Sequence, residues 1–433
     1  MILLRSYANL GEFFNAVFGT NMRLPVFSFG FFVGLAFMAA GYILYRELRR
    51  KEKAGIFHAE KVKVMVGEPA SAFELISNAV FGFILGFKIG GMIFNWQTFN
   101  DDPQSFMFSG EGNILVGLLG AALLAYSKYR EKKKEQLPQP QEKTLLLYPS
   151  ARLGDFVMLA AIFGILGAKM FSNFEEENGW SEFLQNPFKN FFSGLTIYGG
   201  LILGAAAIIY YAIRKKINVL HLGDAVAPAL ILAYGIGRIG CQVSGDGDWG
   251  IINSAYISQE NGTLREAEKG EIDSVIQIHA AYYIREFDSL SNVKSVYVKA
   301  PGFLPRSLVA QNYAYNVNKE GMYIAKCQGD YCGQLPASVF PTPIYETIMS
   351  LMIFGMLWWL RRRVTVPGMI LAIYVIFVGI ERFFIEKIRV NNVLEFAGIR
   401  ATQATFISII FVIFGLVMAL VLVQVEKRRR MSH

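Results

Sequence analysis

Residues 234–250 read YGIGRIGCQVSGDGDWG, an apolar segment with an arginine near its end and a glycine-rich acidic turn behind it. Arg238 is that arginine, and Asp246 and Asp248 lie in the turn. A guanidinium group near a membrane boundary is costly unless it meets an anion, so Arg238 indicates a binding site. The alternative is that the glycines serve helix packing while Arg238 extends to water.

The composition around this segment is that of a membrane protein, with 53% hydrophobic residues and a mean hydropathy of +0.36. A helix needs roughly 20 apolar residues to cross a bilayer. Nine runs approach or exceed that length: residues 27–45, 73–96, 112–127, 155–174, 194–213, 224–243, 342–360, 367–385 and 402–425. We therefore predict an all-α polytopic membrane protein with about nine transmembrane helices and a small mixed extracytoplasmic head domain.

The distribution of charge predicts the orientation of these helices. The net charge is +8, and the basic clusters lie at residues 46–53, 128–134, 214–216, 361–363 and 427–430. Basic residues next to membrane helices prefer the cytoplasmic side, which places the N-terminus outside and the C-terminus inside. Because each cluster adjoins a membrane helix, binding to nucleic acid is not expected.

The predicted organisation has five parts. They are an N-terminal interfacial segment (1–26), transmembrane helices 1–6 (27–243), an extracytoplasmic head (244–341), transmembrane helices 7–9 (342–425) and a basic cytoplasmic tail (426–433). Residues 10–19 form an amphipathic stretch, and no cleavable signal peptide is evident. In the head, SVIQIHAAYYI (274–284) and VKSVYVKA (293–300) resemble strands.

Two hairpins inside the membrane region look like copies of each other. Residues 83–92 (FILGFKIGGM) and 164–173 (GILGAKMFSN) share a core, and each is followed by a run that begins with F-S-G. We interpret the segments 73–127 and 155–213 as a duplicated hairpin. The charged linker between them, residues 131–143, is expected to be mobile.

Cys327 and Cys332 lie in the predicted outer head, where a C-x4-C spacing favours a disulfide. The four histidines are scattered along the chain, so no zinc site is predicted.

Ionisable side chains from several predicted helices converge on the outer level of the bundle. The cations are Lys88, Lys169, Arg238 and Arg382, and the nearby acidic or hydroxyl side chains are Asp246, Asp248, Tyr345, Glu346, Glu381 and Glu386. Guanidinium groups at this depth suit the phosphate of an anionic lipid, which they bind through paired hydrogen bonds. Structural ion pairing within the bundle is the alternative.

Three further segments accompany the glycine-rich turn, namely YGGLILG (198–204), PTPIYE (341–346) and ERFFIEKIR (381–389). In this order, and together with GRIGCQVSGDGDWG (237–250), they resemble the motifs of the prolipoprotein diacylglyceryl transferase family. The resemblance implies an enzyme of the bacterial cytoplasmic membrane. It would move the diacylglyceryl group of phosphatidylglycerol to the lipobox cysteine of a prolipoprotein, release glycerol 1-phosphate, and need no cofactor or metal.

Carried over to this sequence, the resemblance implies that Arg238 and Arg382 hold the phosphate, with Tyr198 and Asp246 also in catalysis. The remaining expected contacts with the phosphatidylglycerol headgroup are Lys169, Gly199, Gly200, Tyr345, Asp248 and Glu386.

The chain departs from the family pattern at several positions. Tyr198 stands where the family usually has a histidine, Cys241 replaces an asparagine, and Phe29 sits where a tyrosine is common. Asp246 and Asp248 compete for the place of a glutamate. The identity of the proton acceptor therefore stays open at this point.

Two other classes of function compete with this interpretation. A lipid or anion transporter would also be built on repeated hairpins, although its ionisable residues should lie near the midplane of the membrane. A family member that has lost catalysis and binds lipoprotein precursors is the second alternative.

Overall fold

A computed structural model describes residues 5–22, 24, 26–101, 106, 109–176, 179–185, 196–247, 249–268, 270–389, 393–396 and 399–431. Within these residues the fold is mainly helical. The helices are α1 (Leu10–Phe18), α2 (Ser28–Lys53), α3 (Ala72–Phe94), α4 (Trp96–Asp101), α5 (Ile114–Glu135), α6 (Leu153–Glu175), α7 (Gly179–Gln185), α8 (Ile197–Arg214), α9 (Val219–Ser244), α10 (Glu271–Ile278), α11 (Ala280–Phe287), α12 (Thr342–Leu360), α13 (Met369–Ile388) and α14 (Gln403–Met431).

All nine predicted apolar runs form long helices. In the described part of the chain, six helical segments are long and apolar enough to cross a membrane: Ser28–Lys53, Ala72–Phe94, Pro149–Glu175, Val219–Ser244, Thr342–Leu360 and Gln403–Met431. The chain is therefore a polytopic membrane protein. Membrane crossing by α5, α8 and α13 stays a prediction, since α8 is shorter and the other two have strongly charged ends.

The chain divides into two compact units, and His58–Tyr148 forms the smaller one. It contains the hairpin of α3 and α5 and two strands, β1 (Glu60–Val66) and β2 (Gln141–Leu147). The strands pair antiparallel, with Glu60 opposite Leu147 and Val66 opposite Gln141. The linker predicted to be mobile, residues 131–143, begins within α5, which continues to Glu135, and ends in the second strand, which begins at Gln141. Its mobility stays a prediction.

The second unit, Met1–Phe57 with Pro149–His433, contains the other long helices. Helix α9 lies at its centre and packs against α2, α8, α12 and α13. Pro228 lies inside this helix without ending it, and the helix stops at Ser244 because Gly245 adopts a left-handed φ of 66°. Ala227 and Ile231 of α9 pack with Leu357 and Ile370 in the interior.

Each of the two hairpins of the proposed duplication packs through a close contact at a glycine. In the first hairpin a side chain at Gly86 would overlap the backbone of Val116, and in the second a side chain at Gly167 would overlap the backbone of Gly199. Both pairs of helices thus approach closely through a glycine at the equivalent place. The Lys88 ammonium in the first hairpin donates to the carbonyls of Phe106, Ser109 and Glu111, so it binds the backbone of its own hairpin.

The head has a four-stranded sheet centred on β3 (Ile252–Ser258), with β4 (Leu264–Glu266), β5 (Ser295–Val296) and β8 (Ala337–Val339) beside it. Two short strands, β6 (Met322–Tyr323) and β7 (Gly333–Gln334), form a separate pair. A disulfide joins Cys327 and Cys332, which confirms the expected pairing. Outside the head, β9 (Val393–Phe396) and β10 (Ile399–Thr402) form a hairpin before α14.

Two strand predictions for the head are wrong. Residues 274–284 are helical, because Ile272, Val275 and Ile276 recur at helical spacing and pack into the core of the head. The segment 293–300 contributes only the short strand β5. The main strand instead follows directly after the glycine-rich turn that begins at Gly245.

The N-terminal segment is attached to the head. Ser6 donates its amide to the Ala314 carbonyl, and the Arg5 guanidinium lies 3.9 Å from the centre of the Tyr315 ring. The predicted amphipathic stretch forms α1, which has exposed apolar side chains at Val17 and Phe18.

Candidate functional site

The ends of three helices meet beside the glycine-rich turn: the last turns of α9, the first turns of α12 and the last turns of α13. Backbone hydrogen bonds hold them together, from Gly250 to the Phe340 carbonyl and from Ile251 to the Ile388 carbonyl, both at 2.8 Å. A Cβ at Gly250 would lie 2.7 Å from the Ile388 oxygen, so this position has room only for glycine. The turn therefore fixes where Arg238 lies relative to the other two helices.

Glu346 of α12 is the centre of the site and is fully buried. Its carboxylate forms an ion pair with Arg238 of α9, accepts a hydrogen bond of 2.9 Å from the Tyr234 hydroxyl, and lies 3.7 Å from Arg382 of α13. A buried carboxylate is stable only with such compensation. The two arginines singled out in the sequence thus meet at one carboxylate.

The second arginine is the more accessible of the two. The Arg382 side chain is 26% exposed and also lies 3.6 Å from Glu386, four residues along the same helix. The Arg238 side chain is 9% exposed, and its Nη1 lies 3.6 Å from the sulfur of Cys241. The Arg382 side chain is therefore partly accessible from outside the protein, whereas the Arg238 side chain is buried.

A third guanidinium belongs to the same region. Arg389 follows the end of α13, and burial together with the positive charge of Arg238 lowers its pKa to about 10. The Tyr198 hydroxyl acts on this pKa in the opposite direction, which places Tyr198 within electrostatic reach of Arg389. Tyr198 itself is 38% exposed.

A mostly apolar groove lies between α12 and α13, and its lining residue Glu381 directly precedes Arg382 in the chain. It has a volume of about 230 Å³ and is lined by Met349, Met352, Ile353, Met356, Phe377, Ile380, Glu381 and Phe384. Glu381 is only 4% exposed, and among the described residues its Oε1 atom has no hydrogen-bond partner. The groove thus combines an apolar wall with one unsatisfied carboxylate oxygen.

Of the two carboxylates in the glycine-rich turn, the structure describes only that of Asp246. Asp246 is half-buried, and burial raises the pKa of its carboxyl while the charge of Arg238 opposes that rise. Asp248 lies outside the described residues. The choice between these two aspartates as the counterpart of the family glutamate stays open.

Several residues expected at the headgroup have other contacts. The Tyr345 hydroxyl donates to the Leu308 carbonyl at 2.6 Å. A Cβ at Gly199 would lie 2.5 Å from the Cβ of Phe171, and Gly200 faces the Gly164 carbonyl, so both glycines lie in the contact between α6 and α8. Lys169 is buried, with its nitrogen 5.8 Å from the centre of the Phe183 ring.

Sequence reasoning noticed Glu346 and Glu381 but did not place them in the site, and it missed Tyr234 and Arg389. Glu346 and Glu381 are acidic residues in apolar helices. Burying a carboxylate there costs enough free energy that such a residue indicates a functional site. Tyr234 carries no such signal. Among the described residues, no group of three or more His, Cys, Asp or Glu is placed to hold a metal ion.

The fold and the site define a class of protein: a polytopic membrane protein in which arginines and glutamates meet at the ends of three helices, next to an apolar groove. The chain belongs to the prolipoprotein diacylglyceryl transferase family, whose model matches residues 111–421. That match covers all four motifs and the whole of the site.

Named relatives are similar over most of their length. A phosphatidylglycerol–prolipoprotein diacylglyceryl transferase from Streptococcus uberis is 28% identical over 61% of this chain and 76% of its own length. Proteins of the same name from Streptococcus equi subsp. zooepidemicus and Staphylococcus haemolyticus are each 26% identical, covering 77% and 61% of this chain and 92% and 71% of themselves.

Proposed function

We propose that this chain transfers the diacylglyceryl group of phosphatidylglycerol to the lipobox cysteine of prolipoproteins and releases glycerol 1-phosphate, as the names of its relatives suggest. The observation that supports this most is the meeting of Arg238 and Arg382 at one buried carboxylate beside an apolar groove. A lipid phosphate needs cations at headgroup depth, and its acyl chains need an apolar channel that opens to the side.

The proposed setting is the cytoplasmic membrane of a bacterium, with nine spans, an outer N-terminus and head, and an inner C-terminus. Basic clusters at the ends of α2, α5, α8, α12 and α14 support this orientation. The site would then lie at the outer leaflet, where a prolipoprotein presents its signal peptide.

Arg382 is the group proposed to bind the phosphate first. It is the most exposed cation of the Glu346 cluster and is held by two carboxylates at 3.6–3.7 Å, distances longer than a strong ion pair. Arg238, held by its ion pair with Glu346, adds a positive field beside the same carboxylate. This field stabilises the charge that develops on the leaving phosphate.

The reaction forms a carbon–sulfur bond, breaks a carbon–oxygen bond and moves one proton from the thiol to a base. The thiol gives its proton to a base, the thiolate sulfur attacks the glyceryl carbon, and the carbon–oxygen bond to phosphate breaks with its electrons on glycerol 1-phosphate. We assign Glu381 as the proton acceptor, since the residue lines the groove and, among the described residues, its Oε1 atom has no hydrogen-bond partner. Tyr198 and Asp246 stay the alternatives, with Tyr198 at the family histidine position.

The test is transfer by the purified full-length chain. Phosphatidylglycerol with labelled acyl chains is supplied with a lipobox peptide, and a peptide with serine in place of the lipobox cysteine is the control. Labelled thioether peptide formed only from the cysteine peptide is the expected product. Lipid flux across proteoliposomes without any labelled peptide would instead identify a transporter.

A further inference from the structure

A second charged cavity lies at the opposite end of α9 from Arg238. Asp224 precedes Arg238 by fourteen residues, which places the two about 21 Å apart along the helix axis. The cavity has a volume of about 150 Å³, and charged side chains from α2, α9 and the α12–α13 connection line it. They are Glu47, Arg50, Lys51, Asp224, Arg361 and Arg362.

Both carboxylates of this cavity already have hydrogen-bond and ion-pair partners within the protein. Glu47 is completely buried, accepts hydrogen bonds of 2.6–3.1 Å from Arg50, and lies 3.4 Å from Arg361. Asp224 accepts hydrogen bonds of 2.8 and 3.1 Å from the backbone amides of Gly368 and Leu371, and its carboxylate lies 3.7 Å from the Lys51 ammonium. Each carboxylate is thus already bound to groups of the protein.

Four cations therefore face two anions in the cavity. The Arg361 side chain is 7% exposed, and among the described residues its Nε has no hydrogen-bond partner. The same guanidinium lies over the Trp358 ring, 3.0 Å from its centre, so the ring blocks one face and leaves the edge for hydrogen bonding. A buried guanidinium with a free donor is costly unless an acceptor arrives.

We propose that this cavity binds the phosphate of an anionic phospholipid from the leaflet at this end of the bundle. The excess positive charge and the free Nε of Arg361 select an anionic oxygen ligand. Ile56 and Ile370 also line the cavity, and Trp358 and Trp359 near the end of α12 belong to the residue type that is enriched at membrane interfaces. A lipid headgroup satisfies both features, whereas free phosphate satisfies only the charge.

This site is independent of the proposed transfer. It shares none of the residues around Glu346, and occupation by a lipid would tie α2, α9 and the start of α13 together. The bound lipid thus stabilises the bundle from the end that is opposite to the reaction.

The test measures thermal unfolding of the purified full-length chain in nonionic detergent. The probes are dioctanoyl phosphatidic acid, dioctanoyl phosphatidylcholine and sodium phosphate at equal concentrations. We expect a saturable rise in the unfolding temperature with phosphatidic acid and a much smaller one with the other two. Equal stabilisation by phosphatidylcholine, or by sodium phosphate alone, overturns the assignment to an anionic lipid.

Substitutions of single arginines test whether phosphatidic acid binds in this cavity. Arg361→Gln and Arg362→Gln should each weaken the apparent affinity for phosphatidic acid about tenfold, the loss expected for one charge-assisted hydrogen bond. Arg363→Gln removes the same charge from an exposed arginine that does not line the cavity, so it should behave as wild type. Arg362 is exposed, and its variant should fold even if the Arg361 variant does not. Unchanged affinity in Arg362→Gln contradicts the proposal.

Discussion

Glu346 determines the arrangement of charge at the candidate site. It is fully buried on α12 and is contacted by Arg238, Tyr234 and Arg382 from two other helices. Without it, two guanidinium groups would be left in a poorly solvated region, and electrostatic repulsion would separate them. One carboxylate therefore holds the cations that a lipid phosphate would meet.

Replacing Glu346 by glutamine tests this role. Breaking a buried ion pair costs about 3–5 kcal/mol, so Glu346→Gln should lower the unfolding temperature strongly and reduce transfer. Glu142 gives a matched control, since it pairs with Lys63 at 2.7 Å on an exposed surface, where about 0–1 kcal/mol is expected. Thermal unfolding of both variants in detergent makes the comparison, and similar shifts in the two would contradict the role of Glu346.

Two substitutions that keep the shape of the side chain distinguish Glu381 from Tyr198, one of the two alternative bases. Glu381→Gln removes the proton acceptor and should lower kcat by about 10²–10⁴ with little change in the KM for phosphatidylglycerol. Tyr198→Phe removes a hydroxyl that is near Arg389 and should have a smaller effect. Steady-state transfer measures both, and a reversed order of the two effects would transfer the role of base to Tyr198.

At the scale of elements, the glycine-rich turn connects the sequence motifs to the geometry of the site. Residues 250–251 pair with both Phe340 and Ile388, so the ends of α9, α12 and α13 are held at fixed positions. Glu381, whose Oε1 atom has no hydrogen-bond partner among the described residues, lies on α13 near the end that this turn holds.

Gly250→Ala tests the turn. A methyl group there meets the Ile388 oxygen at 2.7 Å and must displace backbone, which costs about 1–3 kcal/mol. Transfer should fall along with stability, because Arg238 and Arg382 would no longer converge. Gly237→Ala is the control, since nothing lies within 4 Å of its added Cβ. If the two variants show equal unfolding temperatures and rates, the turn does not position the site.

The long helices could be predicted from the sequence because the apolar runs that specify them are local. The contact of Arg238 with Glu346 joins residues 108 positions apart, and a single sequence contains no signal for that pairing. The strands β1 and β2 were missed for the same reason, since Glu60 pairs with Leu147. In the head, residues 274–284 were misassigned because Val, Ile and Tyr favour strands, whereas packing against the core of the head selected the helix.

At the scale of the whole molecule, the proposed function depends on which side of the membrane holds the site. The head follows the glycine-rich turn directly, so the head and the Glu346 cluster belong to the same end of the bundle. The basic C-terminal end of α14 belongs to the opposite end if that helix spans the membrane once.

Cysteine labelling tests this orientation. Tyr297→Cys in the head and Met431→Cys at the end of α14 are both exposed positions, and the native Cys241 is buried. In intact cells, or spheroplasts where an outer membrane is present, an impermeant maleimide should label position 297 and should reach position 431 only after lysis. Labelling of position 431 before lysis, with position 297 protected, would invert the topology and place the site at the cytoplasmic leaflet.

The rate of diacylglyceryl transfer to a lipobox peptide by Arg238→Ala is the most direct test of the central claim, that arginines gathered at Glu346 act on a lipid phosphate. We expect a loss of about a hundredfold or more, the effect of removing one preorganised donor from a charged transition state. Arg363→Ala, which changes an exposed arginine outside the site, should retain the wild-type rate. A folded Arg238→Ala protein with near wild-type transfer would contradict the account.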